Sequence, residues 1–175
     1  MKRLYSILIA MTMLVIFVPA AALAAGASGF PTWSQHFTKG RFTVLPLFGR
    51  AAVLDKETGL VWEQSPDTGT FTWISALIHC YQLEVGGRKG WRLPTIEEVA
   101  SLVDTSQPAP TLPAGHPFEN VRSSFYWSAT TTAGSTGSAW GVSLSNGNVF
   151  FVDKTLGSVD FVWCVRGGQG IDGVQ

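Results

Sequence analysis

Cys80 and Cys164 are the only cysteines in this 175-residue chain, and a bond between them would close a loop across a sequence separation of 84. No other feature restricts the fold as strongly, because the middle of the chain and its last apolar run would have to meet in the core. Whether the thiols pair depends on compartment, and the N-terminus addresses that. Lys2 and Arg3 precede an apolar run from Leu4 to Val18, Pro19 breaks it, and Ala20 to Ala25 supplies small residues. This is the pattern of a signal peptide, residues 1–24, with cleavage after Ala24 in the A-x-A sequence Ala22-Leu23-Ala24. An uncleaved membrane anchor is the competing reading, disfavoured by Ser6, Thr12 and the Pro19 break. No cysteine follows the run as a lipid attachment point. The mature chain is therefore expected outside the cytoplasm (periplasmic, cell-surface or secreted), touching a membrane only through its leader. There thiols are free to oxidise. The chain-entropy argument gives such a bridge roughly 4.5 kcal/mol of stabilisation. A redox pair or two ligands to a metal are the alternatives; no C-x-x-C is present, and the spacing offers no further ligands.

Twelve basic groups balance twelve acidic ones, and loss of Lys2 and Arg3 with the leader leaves the mature chain at net −2. Nucleic acid, which needs a concentrated basic patch, is excluded as a partner. About 150 residues remain, enough for one domain with a real core. Charged residues make up 14% of the chain, so stability must rest on burial and crosslinking more than on surface ion pairs. We divide the chain into the leader, a lead-in over 25–41, one domain over 42–167 and a Gly-rich tail over 168–175.

Within that domain, Phe42–Leu45 reads as a strand stopped by Pro46. Ala51–Leu54 and Leu60–Glu63 pair as a hairpin across Asp55–Gly59. Thr72 caps a helix whose inward face carries Trp73, Ala76, Leu77, Cys80 and Leu83 or Glu84, at spacings of three and four. A second helix starts after Thr95, where Thr95 to Glu98 makes an S/T-x-x-E capping box and Ile96, Val99, Ala100 and Val103 form the buried stripe. Glu97 and Glu98 thereby have an ordinary structural reason to be present and need no acid–base role. From Phe125 the chemistry is that of strands: Phe125–Thr130, Ala139–Ser145, Asn148–Val152 and Asp160–Arg166, with Asn146-Gly147 as a type I′ turn. Trp140, Val142 and Leu144 alternate with Gly141, Ser143 and Ser145, which predicts one dry face and one wet one. The sum is an α+β domain, two helices on a twisted, mostly antiparallel sheet with a long-range disulfide.

The succession Thr58-Gly59-Leu60-Val61-Trp62, the helix with Cys80, Gly90-Trp91-Arg92-Leu93-Pro94-Thr95, Tyr126-Trp127-Ser128-Ala129-Thr130, Ala139-Trp140 with Asn146-Gly147, and Cys164-Val165-Arg166 resembles the Lcl C-terminal domain family. The resemblance covers Val53 to Gly167. It implies a C-type-lectin-like fold and an extracytoplasmic recognition or adhesion module rather than an enzyme, with a polysaccharide or a surface protein as partner; self-assembly into a homo-oligomeric surface structure is the alternative. A W-R-L-P-T string is also found in sulfatase-modifying formylglycine-generating enzymes, whose chemistry depends on active-site cysteines. Here the bridge takes both. The calcium-binding triplets of true C-type lectins are absent, so no metal and no cofactor is expected. Trp91 and Trp127 read as core aromatics, and Arg92 as a scaffold hydrogen-bonder.

No catalytic residues emerge. None of His36, His79 and His116 has a Ser, Cys or carboxylate at a spacing that specifies a triad; His79 adjoins Cys80, but helix neighbours point apart. The stretch Thr130–Ser138 has no apolar periodicity and reads as a surface loop. Together with the turn at Asn146–Asn148 it supplies the candidate ligand residues Thr131, Thr132, Ser135, Thr136, Asn146 and Asn148, whose hydroxyls and amides suit a sugar. The competing reading is a connecting loop without a ligand.

Overall fold

The structure, a computed structural model, describes residues 40–155 and 158–167. The expected leader, nearly all of the lead-in, the tail and His36 lie outside the described residues. Among the described residues, ten strands and two α-helices follow in order: β1 (Phe42–Val44), β2 (Ala52–Asp55), β3 (Val61–Glu63), β4 (Thr70–Phe71), α1 (Trp73–Gln82), β5 (Trp91–Arg92), α2 (Ile96–Ala100), β6 (Phe125–Thr132), β7 (Ser135–Ser143), β8 (Val149–Asp153), β9 (Asp160–Phe161) and β10 (Val165–Arg166). A 3-10 turn over Pro46–Phe48 separates β1 from β2.

The α+β class stands, with one change: the strands form two five-stranded sheets. One has the order β1-β2-β3-β10-β5 and the other β4-β9-β6-β7-β8. All pairings are antiparallel except that of β6 with β9. The hairpin of β2 and β3 pairs Val53 with Trp62. Alternate residues of the strands feed two separate cores. Val53, Tyr126, Val142, Trp163 and Val165 join α2's Val99 in one; Ala52, Phe125, Trp127, Ala139, Val162 and Cys164 join α1's Ala76 and Cys80 in the other. Trp163 anchors the first core, edge-on to Trp62 at 5.6 Å and to Phe118 at 4.8 Å.

This double core corrects the expected wet face of β7. Gly141 and Ser143 are buried as well as Val142, because Phe125 of β6 lies across that face. A Cβ on Gly141 would stand 2.2 Å from Phe125 Cζ and 2.4 Å from the Tyr126 carbonyl oxygen, so only glycine admits this approach. The turn after β7 also differs. Asn146 does not take the positive φ that type I′ demands; Gly147 alone does, at +78°. Leu144 is buried, its N–H donating to the Ser124 carbonyl and its carbonyl accepting from Thr111 N–H, each at 2.8 Å. Drawing Leu144 inward lengthens the connection to five residues, Leu144 to Asn148, with Gly147 N–H donating to the Ser143 carbonyl at 2.7 Å.

Both helix starts are as expected. Thr72 accepts from Ser75 N–H, and Thr95 with Glu98 makes the full capping box. However, α2 is one short stretch of five residues. The backbone tightens after Ala100 into bonds from Leu102 N–H to Val99 O and Val103 N–H to Ala100 O. That turn lays Leu102 and Val103 into the core, so Val103 is buried from outside the helix. Arg41, assigned to the lead-in, is also a core residue. Its guanidinium donates to both carboxylate oxygens of buried Asp55, at 2.8 and 2.6 Å.

Candidate functional site

The Gly90–Glu98 run builds a rigid edge. Trp91 is buried, edge-on to Phe48, and its indole N–H donates to the Arg88 carbonyl at 2.9 Å. Arg92 grips Glu98 through two hydrogen bonds of 2.7 and 2.6 Å and reaches the Gly167 carbonyl at 2.8 Å. Glu98 in turn accepts from Thr95 N–H at 2.8 Å. The guanidinium and both glutamate oxygens are thus committed to the scaffold, the geometry that a planar Arg–carboxylate fork favours. Trp127 is likewise buried, donating to the Phe71 carbonyl at 2.9 Å.

Between this edge and α1 runs a groove of about 500 Å³ lined by Leu77, Tyr81, Trp91, Arg92, Leu93, Thr95 and Ala129. On the α1 side it is lined by Leu77 and Tyr81, and Tyr81 also belongs to the outward face of that helix. Ile74, Ile78 and Tyr81, at positions i, i+4 and i+7, share that face and are 56, 48 and 80% exposed. From Trp73 to Gln82 the helix contains no Asp, Glu, Lys or Arg. A helix that only met solvent would carry charge opposite its buried stripe. Here both faces are apolar, and the groove adjoins the outer one.

The hydroxyl-rich stretch is a hairpin rather than a loop. β6 runs on to Thr132 and β7 begins at Ser135, leaving Ala133-Gly134 as the turn. Lys154 explains how so polar a ribbon holds together. Its ammonium lies 3.9 Å from the Trp73 ring centroid and donates to Thr131 Oγ1 at 2.7 Å and the Thr136 carbonyl at 3.1 Å. Thr132 is turned inward, its hydroxyl donating to the carbonyls of Ser135 and Ser138. Ser135 faces Ser138, Oγ to Oγ, at 3.4 Å. Asn146 accepts from Asn148 N–H at 3.0 Å through its side chain, in an Asx turn. The six candidates do not form one site. The two turns cap opposite ends of the nine-residue β7, a strand about 26 Å long at the usual rise.

A second cluster lies in the core and was invisible in the sequence spacing. Cys80 and Cys164 form the expected disulfide, with Cα atoms 5.4 Å apart. Around it the fold gathers Glu63 and His79: a Glu63 oxygen, a His79 nitrogen and Cys164 Sγ all lie within 4.8 Å of one another. Glu63 accepts from Cys164 N–H at 2.7 Å, while its backbone carbonyl accepts from the Trp163 indole at 2.9 Å. Burial pushes the Glu63 carboxyl up to about 7, the Cys164 N–H bond draws it back, and the charge of Asp67 adds to the rise. His79 Nε2 is buried with no hydrogen-bond partner among the described residues, its ring tilted against Phe71 at 4.7 Å. Elsewhere burial pushes the Tyr126 phenol up to about 12, where it stays neutral.

The fold and groove define a small disulfide-crosslinked α+β domain with an uncharged apolar face. The chain belongs to the Lcl C-terminal domain family, which matches residues 51–166. The match begins one residue before β2 and ends with β10, so β1 and the Arg41–Asp55 clasp extend the domain beyond it. No curated protein matches the chain. Among the described residues no helix is long and apolar enough to cross a membrane.

Proposed function

We propose that this chain is an exported, non-enzymatic recognition module of C-type-lectin-like architecture, which engages its partner through the outward face of α1 and the adjoining groove. One observation carries the reading: a ten-residue helix without Asp, Glu, Lys or Arg presents Ile74, Ile78 and Tyr81 to solvent beside a groove of about 500 Å³. Contiguous exposed apolar surface of this kind marks interaction sites, and a tyrosine at its rim offers area at low entropic cost. An envelope or cell-surface protein suits such a face better than a strongly charged polymer. A polysaccharide is the other partner class, meeting Tyr81 through the apolar face of a sugar ring. The disulfide supports an extracytoplasmic location. The commitment of Arg92 and Glu98 to the scaffold, and of both cysteines to each other, argues against the sulfatase-modifying chemistry.

The test is binding of the mature, oxidised domain to an array of polysaccharides and to a panel of envelope proteins. Tyr81→Ala and Ile78→Glu serve as probes, because both side chains are exposed. A loss of tenfold or more in affinity with an unchanged melting temperature is expected. Retained affinity in both variants overturns the assignment of the face.

Self-assembly has its own observation. β8 is an edge strand whose Val149, Phe150 and Phe151 are all exposed, with a charge only at its end, Asp153, and an apolar edge of this kind invites pairing with a second copy. Light scattering from the mature domain separates the two readings. A stable oligomer that Phe151→Lys converts to monomer would favour assembly.

A further inference from the structure

We infer that the disulfide core is a redox-gated zinc site, in which Cys80, Cys164, His79 and Glu63 become the four ligands of Zn²⁺ once the bridge is reduced. The ligand atoms of Glu63, His79 and Cys164 are already mutually within 4.8 Å, and the Cys80 sulfur is bonded to that of Cys164. A tetrahedral zinc with Zn–S of about 2.3 Å and Zn–N of about 2.0 Å sets its ligands about 3.3–3.8 Å apart. For Glu63, His79 and Cys164, closing onto the ion therefore asks for side-chain shifts on the order of 1 Å. The two sulfurs separate on reduction toward that same spacing. Two thiolates, an imidazole and a carboxylate are a donor set zinc prefers.

His79 provides an independent pointer. A buried nitrogen without a partner is costly, and native folds rarely carry one without a reason. Nε2 of His79 is such an atom among the described residues, and one nitrogen of the same ring belongs to the cluster. The elements that hold the four residues are α1, β3 and the segment leading into β10, all fixed by the surrounding core. The ligands are brought together by the fold before any ion arrives.

The chemistry balances with a dithiol as reductant. The dithiol gives two electrons and two protons to the Sγ–Sγ bond, which becomes two thiols while the reductant closes into its own disulfide. Zn²⁺ then displaces the two thiol protons, and the carboxyl proton where Glu63 carries one. In the oxidised domain covalent sulfur holds α1 to the segment before β10. In the reduced domain the metal would hold the same two elements.

The experiment uses the mature chain reduced with a dithiol, freed of it under anaerobic conditions, and titrated with Co²⁺ and then Zn²⁺. The expected result is one equivalent of Co²⁺ with the intense visible bands of tetrahedral thiolate coordination, displaced by Zn²⁺ and absent from the oxidised protein. His79→Ala and Glu63→Gln should each weaken binding about tenfold or more, by analogy with the sensitivity of metal sites to loss of a supporting group. Near-UV circular dichroism is read in parallel. A reduced chain that is unfolded without metal and recovers its native spectrum with one equivalent of Zn²⁺ supports the site, since metal binding and folding are then coupled. Absence of tetrahedral bands, a reduced chain that stays unfolded with zinc, or equal affinity in the folded His79→Ala and Glu63→Gln variants overturns it.

Discussion

Glu63 makes the stability of this domain depend on pH in a direction opposite to that of most buried carboxylates with ion partners. Its carboxyl is pushed from 4.5 to about 7 by burial. Between those values the folded state keeps a proton that the unfolded chain has released. The stability this group contributes is therefore complete below about pH 4.5, falls as pH rises, and is exhausted above about pH 7. A separation of 2.5 pH units at 1.36 kcal/mol each amounts to about 3 kcal/mol. In a domain of this size that corresponds to about 10 °C in melting temperature. Asp160 is also raised by burial, so the wild-type curve alone does not isolate Glu63. The informative quantity is the difference between wild type and Glu63→Gln. The amide oxygen of Gln can still accept from Cys164 N–H, and any cost of its buried NH₂ group is constant with pH. Urea melts of both proteins from pH 4 to 8 should show the variant gaining on wild type by about 3 kcal/mol across that range. Parallel curves would refute the burial argument for Glu63.

Three further perturbations test the scaffold. Replacing both cysteines, Cys80→Ala with Cys164→Ala, should lower stability by about 4–5 kcal/mol, or roughly 15 °C, by calorimetry; a melting temperature within a few degrees of wild type would mean that the bridge does not constrain the chain. Trp91→Ala should cost about 3–5 kcal/mol in urea melts and Thr95→Ala about 1 kcal/mol, and equal losses would remove Trp91 from the core. Gly141→Ala should prevent folding or destabilise severely, because the added Cβ meets the Tyr126 backbone, whereas Gly134→Ala, with nothing within 4 Å, should be neutral; circular dichroism of the two purified proteins decides.

The parts of the fold that local chemistry specifies were readable. Thr72 and Thr95 carry their caps within three residues, and the β2–β3 hairpin follows from two apolar runs around a turn. The disulfide followed from the expected leader and from the inward phase of Cys80 on α1. What local pattern does not encode was missed. β9 and β10 are two residues long, and such short pairings decide that there are two sheets. The start of β7 is polar and lacks alternation, since Lys154 and Trp73, far away in sequence, hold it. Glu63, His79 and Cys164 meet only because strand and helix pack around one core, and the Arg41–Asp55 clasp needs the register that pairs Phe42 with Asp55. The α1 face did leave a signal: once Trp73, Ala76, Leu77 and Cys80 point inward, Ile74, Ile78 and Tyr81 are apolar residues with no core left to enter.

That geometry would couple the bridge to the proposed recognition. α1 turns Cys80 toward the core and Ile74, Ile78 and Tyr81 away from it, so the bond to Cys164 pins the back of the helix whose front is the proposed binding face. Breaking it frees α1 to shift against β5 and open or close the groove between them without touching any contact residue. Partner affinity should therefore fall on reduction even at temperatures well below the melting transition, while Ile78→Glu lowers affinity with the bridge intact. Titration calorimetry of the oxidised, reduced and Ile78→Glu proteins against one identified partner reads both effects. Zinc added to the reduced protein should restore affinity if the metal replaces the bond as a clamp. Affinity that is indifferent to reduction in a still-folded domain would show that the face is held by packing alone, and the bridge would then be a device of stability only.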